Sequence, residues 1–162
     1  MSWQFSKYVS VEAKRKTLWT HVEDIEGPVL VKLEVAAPNA TWRYAEDRSC
    51  GPDGDLTSLI ARSRCLCPGA PVGALIGKLG GSSAGIDDGK IFPVGRYCVV
   101  DVPSDSGALF LSINDEVTGM EDNDDTLAVA ISQRPKPAAS EREQVVAPPA
   151  DTAKGSARAD TP

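Results

Sequence analysis

Apolar and polar residues alternate with a period of two in several short stretches of the chain, and nowhere with the 3.6-residue period of an amphipathic helix. In 28–36 (PVLVKLEVA), Val29, Val31, Leu33 and Val35 fall on one face, with Lys32 and Glu34 on the other. In 126–132 (TLAVAIS), Leu127, Val129 and Ile131 alternate with small or polar residues. Shorter apolar stretches at 17–23, 40–45, 72–79, 95–101 and 107–113 predict further strands. Between them stand Gly27-Pro28, Pro38-Asn39, Gly51-Pro52-Asp53-Gly54, Gly80-Gly81 and the run from Pro103 to Gly107. These residue types supply the fixed or positive φ that turns require. The spacing predicts an all-β fold, a single antiparallel β-sandwich of jelly-roll type. The segment 55–64 (DLTSLIARSR) is expected to form a short helix at most.

The pattern also divides the chain. Residues 14–132 carry the alternating stretches and form the expected sandwich. Residues 1–13, with Trp3, Phe5 and Tyr8, read either as an N-terminal arm or as a first strand packing on it. From Gln133 to Pro162 the sequence turns to Ala, Pro, Ser and charge, with only Val145-Val146 to bury. Such a low-complexity tail cannot offset its own ordering entropy.

Composition narrows the partners. Of 162 residues, 41% are hydrophobic and 25% charged, enough to bury a core. The formal net charge of −6 argues against nucleic acid, whose phosphates call for a basic face. No apolar run is long enough to span a bilayer, so no membrane insertion is expected. The opening MSWQFSKYVSVEAKR lacks the apolar core of a secretory signal. A cytoplasmic location, or release without a cleaved signal and display on a particle surface, is therefore expected.

Candidate chemistry concentrates in 114–125 (NDEVTGMEDNDD). This stretch holds six acids, Asp115, Glu116, Glu121, Asp122, Asp124 and Asp125, and no Lys or Arg. Hard oxygen donors at this density suit Ca²⁺, although the spacing is not that of an EF-hand; a solvated acidic hairpin loop is the plain alternative. Four cysteines, Cys50, Cys65, Cys67 and Cys98, read as free thiols, or as a bridge from Cys50 to Cys65 or Cys67. Such a bridge would contribute about 3 kcal/mol by closing a loop. The C-x-C spacing at 65–67 is shorter than structural zinc sites use. Catalysis is not expected: His21 is the lone histidine, better suited to a half-buried strand position, and no nucleophile motif such as G-x-S-x-G occurs.

Three landmarks in order carry a resemblance. They are VLVKLEVAAPNATWRY with CGPDGD (29–55), VGALIGKLG (72–80) and LFLSINDEVTGMEDNDDTLAVAI (109–131). Together they resemble the PA-IL-like galactophilic lectin family of bacteria over roughly residues 19–132. The resemblance implies a calcium-dependent carbohydrate-binding domain. Carried over by position, Ca²⁺ would be held by the side chains of Asp115, Asp122 and Asn123 and the backbone oxygens of Gly119 and Tyr44. Sugar hydroxyls would meet Asp115, Glu116 and Asp122. The chain departs from the family in the loop 56–71, which lacks the His and Gln that touch the sugar there; galactose specificity does not carry over. The competing expectation is a structural or decorating subunit of a bacterial or phage-like particle, docking through the tail or the N-terminal arm. Either reading leads to a homo-oligomer or a larger assembly.

Overall fold

The structure is a computed structural model and describes residues 1–14, 17–105 and 107–137. Ten strands follow in order: β1 (Gln4–Glu12), β2 (Thr20–Ile25), β3 (Val29–Val35), β4 (Trp42–Ala45), β5 (Arg48–Cys50), β6 (Leu75–Leu79), β7 (Lys90–Pro93), β8 (Tyr97–Val102), β9 (Gly107–Ile113) and β10 (Thr126–Pro135). They build two four-stranded antiparallel sheets, ordered β1-β10-β3-β8 and β2-β9-β6-β7, and a separate hairpin β4-β5. The all-β sandwich expected from the alternation is the fold.

The first sheet follows the period-two rule closely. Val31, Leu33, Val35, Leu127, Val129 and Ile131 are buried between the sheets, and Glu34 and Ala128 point to solvent. In the second sheet every residue of β6 and the last five of β9 are buried. Both faces of that sheet are covered: the inner face by the first sheet, the outer by Trp19 and the loop after β6. Alternation is lost where both faces are dry.

Lys78 holds that outer cover. Its side chain is wholly buried, yet its ammonium donates to Ser82 O at 2.6 Å, Gly85 O at 2.8 Å and Asp88 Oδ1 at 2.7 Å. All three donors are therefore used. The same ammonium lies 4.9 Å from the Trp19 ring centre and 5.0 Å from that of Phe110. Its hydrogen bond, then the backbone and hydroxyl bonds from Ser82, hold the Asp88 carboxyl down at about 2.

Residues 4–12 are strand β1 at the sheet edge, paired from Gln4↔Gln133 to Glu12↔Thr126. Its alternation is masked because Lys7 turns inward, donating to Val22 O and pairing with Glu23 at 3.6 Å. An inward charge of this kind protects an edge from further pairing. Strand β10 runs past residue 132 to Pro135, with Arg134 opposite Leu30 and Pro135 opposite Val29. The expectation for 138–162 lies outside the described residues. The segment 55–64 is loop, closing in a single 3-10 turn at Arg62–Arg64. His21 stands exposed on β2 rather than half-buried, 3.1 Å from Asp24 and edge-on to Phe110. No helix among the described residues is long and apolar enough to cross a membrane.

Candidate functional site: an oxygen-lined loop beside the β4–β5 hairpin

The loop between β9 and β10 is built around two buried side chains that the acidic composition alone does not separate. Asn114 clamps the neighbouring loop. Its Oδ1 accepts from Cys67 N–H at 2.8 Å, and its amide nitrogen lies 2.9–3.0 Å from the carbonyls of Cys67, Ala70 and Pro71. Leu66 N–H donates to Asp115 O at 3.1 Å, and Cys65 bridges Glu116, so residues 65–71 are fastened to the start of the acidic loop. Asn114 is fully satisfied and structural; its hydrogen-bonding role has no signature in the sequence beyond a buried amide at a strand end.

Asp115 is the opposite case. Its side chain is 1% exposed, Oδ1 accepts from Glu116 N–H at 2.7 Å, and Oδ2 has no hydrogen-bond partner. Burial raises its carboxyl to about 6, helped by the nearby charges of Asp122 and Glu116. Asn123 lies beside it and draws the value back down, without a bond of proper geometry to Oδ2. Asn123 is itself buried, with its amide 3.4 Å from Ala13 O and its Oδ1 unpartnered. Two buried oxygens without partners thus sit on one loop, and orphaned polar atoms of this kind are uncommon in native structures.

Gly119 and Asp122 lie on the same loop, and Tyr44 on the hairpin beside it. A Cβ placed on Gly119 would stand 3.4 Å from Asp115 Oδ1, which puts that backbone against the carboxylate. Asp122 Oδ2 accepts from Glu46 N–H at 3.2 Å, tying the loop to the chain just after β4. Arg43 and Asp124 exchange both backbone hydrogen bonds, at 2.9 and 3.0 Å, and their side chains pair at 2.9 Å. Tyr44 therefore lies between two residues fastened to this loop. The loop is also less bare of cations than its own sequence suggests, because Arg43 meets Asp124 and Arg64 meets Glu116 at 3.1 Å.

The hairpin that carries Tyr44 is fixed from behind. Trp42 Nε1–H donates to Gly73 O at 2.7 Å, and Tyr44 O–H donates to Asp55 Oδ2 at 2.5 Å. Asp55 also accepts from the backbone N–H and hydroxyl of Thr57. The Tyr44 bond, then those from Thr57, hold the Asp55 carboxyl near 2. Burial pushes the Tyr44 phenol up. Gly73 has φ of +79°, and a Cβ there would meet Cys50 Sγ at 2.4 Å and the Tyr44 ring at 3.0 Å.

All four cysteines are free thiols, so neither bridge from Cys50 is present. Burial, before any other cause, pushes Cys50 to about 12 and Cys65 to about 11, which makes both poor nucleophiles. Among the described residues no three His, Cys, Asp or Glu side chains converge as a metal site. The loop carries the Asp115 and Asp122 carboxylates and the Asn123 amide.

No family model matches the chain, and no curated protein matches it. The architecture, an antiparallel sandwich, nevertheless resembles known folds. One solved structure it is similar to is the N-terminal domain of EclA, a PllA-like lectin. The TM-score is 0.56 and the identity 18%, over 81% of this chain and 98% of that one.

Proposed function

We propose that this protein is a calcium-dependent carbohydrate-binding domain whose site lies on the loop 114–125. The observation that carries the reading is the pair of buried, unpartnered oxygens, Asp115 Oδ2 and Asn123 Oδ1. An uncompensated buried carboxylate is costly to keep, and a cation held by both oxygens removes that cost. The donor set fits Ca²⁺: Asp115, Asp122 and Asn123 by side chain, Gly119 and Tyr44 by backbone oxygen, and no sulfur or nitrogen ligand. When bound, Ca²⁺ supplies open coordination positions for two vicinal sugar hydroxyls.

The chain's own residues do the rest. Asp122 stands exposed at the loop surface, where its carboxylate accepts a hydroxyl proton as a charge-assisted hydrogen bond. Glu116 is held by Arg64 and offers a second acceptor at the rim. The scaffold bonds of Asn114, Trp42 and Gly73 keep both sides of the site in place before any sugar arrives. The fold shared with a PllA-like lectin domain supports the carbohydrate half of the reading. For one small sugar in a site of this kind the affinity falls at about 0.1–1 mM.

Binding to a mixed glycan array, with millimolar Ca²⁺ and then with chelator, tests the reading. Asp122→Ala should abolish calcium-dependent binding while the melting temperature in chelator stays within about 2 °C of wild type, because the side chain is outside the core. Glycan retention by the variant equal to wild type would place the site elsewhere.

A further inference from the structure

The calcium-binding loop adjoins a groove of about 430 Å³ that reaches from Tyr44 and Glu116 over the loop 56–64. Its lining combines an apolar lip with two cations. Leu59 is 96% exposed, Ile60 is half-buried, and Arg48 and Arg64 stand on the same groove. A groove this size accepts a ligand larger than the sugar at the metal.

The two arginines are not used up by the fold. Arg48 lies 3.6 Å from Asp55, beyond hydrogen-bond distance, with its side chain 47% exposed. Asp55 does not depend on it, because Tyr44 and Thr57 already fill that carboxylate with three hydrogen bonds. Arg64 gives one nitrogen to Glu116, at 3.1 Å, and its side chain is 68% exposed. Each guanidinium carries five N–H donors in a planar fork matched to a carboxylate. Arg48 and Arg64 face one lining acid, Glu116, and Asp55 stands 3.6 Å from Arg48, so the groove offers unfilled guanidinium donors rather than a net positive charge.

Resting on the carbohydrate reading above, we propose that the preferred ligand is an acidic glycan, one bearing a uronic-acid carboxylate that Arg48 and Arg64 receive while Leu59 packs on its C–H face. Free carboxylate-bearing sugars enter the groove; neutral ones of the same shape leave both forks facing water.

The test pairs a uronate-terminated oligosaccharide with its carboxyl-reduced neutral counterpart, titrated into the full chain with Ca²⁺ present. The acidic member should bind about tenfold more tightly at low salt, and the difference should shrink at high salt because both arginines are exposed. In Arg48→Gln/Arg64→Gln the two glycans should bind alike. Arg48→Gln alone, which keeps the Arg64–Glu116 pair, should lose about threefold of the preference and carries the test if the double variant fails to fold. Equal binding of the pair by wild type, with both still calcium-dependent, would overturn the acidic preference and leave the carbohydrate reading standing. A preference surviving in the arginine variants would overturn the assignment to these residues. Binding of neither glycan would overturn the acidic-glycan assignment, while the mixed glycan array decides the carbohydrate reading on its own.

Discussion

Asp115 and Lys78 are both charges taken out of water, and the difference between them separates site from scaffold at the scale of single residues. Lys78 has every donor filled by Ser82, Gly85 and Asp88; Asp115 keeps one oxygen with no partner. Replacing Lys78 by Met removes the donor shared by Ser82 O, Gly85 O and Asp88 and should cost about 2–3 kcal/mol in urea unfolding. A variant as stable as wild type would show that the outer cover is held by packing alone. The Lys78–Asp88 pair sets an acid limb. A carboxyl held near 2 in the fold, against 3.8 in the open chain, contributes stability that is complete above about pH 4 and fades as pH falls through about 2. Asp88→Asn should flatten the stability curve over that window, as followed by unfolding midpoints between pH 2 and 5. At this scale density and resemblance drew attention to Asp115 and Asn123, which the fold buries with an oxygen of each unpartnered. The sequence was mute on Asn114 and Lys78, because complete hydrogen bonding depends on carbonyls that only the folded loops 65–71 and 82–88 bring near.

Among elements, the alternation placed most strands, the edge strands β2 and β8 and the short β4 included, and missed β5 and β7. β3 and β9 match their expected spans within a residue, because their inner-face Val, Leu and Ile must lie on one side. β5 and β7 are three and four residues long, too short to show a period. β1 was obscured by the inward Lys7, and the end of β10 by Gln133, Arg134 and Pro135, polar or ring-locked residues that nonetheless continue the ladder opposite β3. The strand's true end changes where the chain tolerates cutting. Removing 138–162 should leave the melting temperature within about 2 °C. Removing 134–162 takes Arg134 and Pro135 from the sheet and Lys136 from Asp101, which it meets at 2.6 and 2.9 Å. That cut should cost about 1–2 kcal/mol and several degrees. Equal melting of the two truncations would mean that those last residues add nothing. The β4–β5 hairpin makes a second case. Gly73→Ala puts a methyl into Cys50 and the Tyr44 ring at a positive φ, so it should destabilise by about 2–4 kcal/mol. It should also weaken calcium affinity by displacing Tyr44, measurable by titration in the still-folded fraction.

For the whole molecule, a cation bound only by the folded state adds about 2.7 kcal/mol at a hundredfold excess over Kd. Heating scans in millimolar Ca²⁺ and in chelator should therefore differ by several degrees, and coincident transitions would count heavily against the metal. Sites in the millimolar range become useful through number, each added copy raising the effective concentration of the next. The pairing of β1 with β10 bears on how copies present themselves. Gln4 lies opposite Gln133, while Glu12 lies opposite Thr126, the residue that leaves the acidic loop. Seven steps of strand, about 24 Å, separate those two ends. The molecule thus has a stem and a face. A partner fused ahead of β1 would therefore join the molecule at the end of this sheet away from the acidic loop, leaving that loop clear.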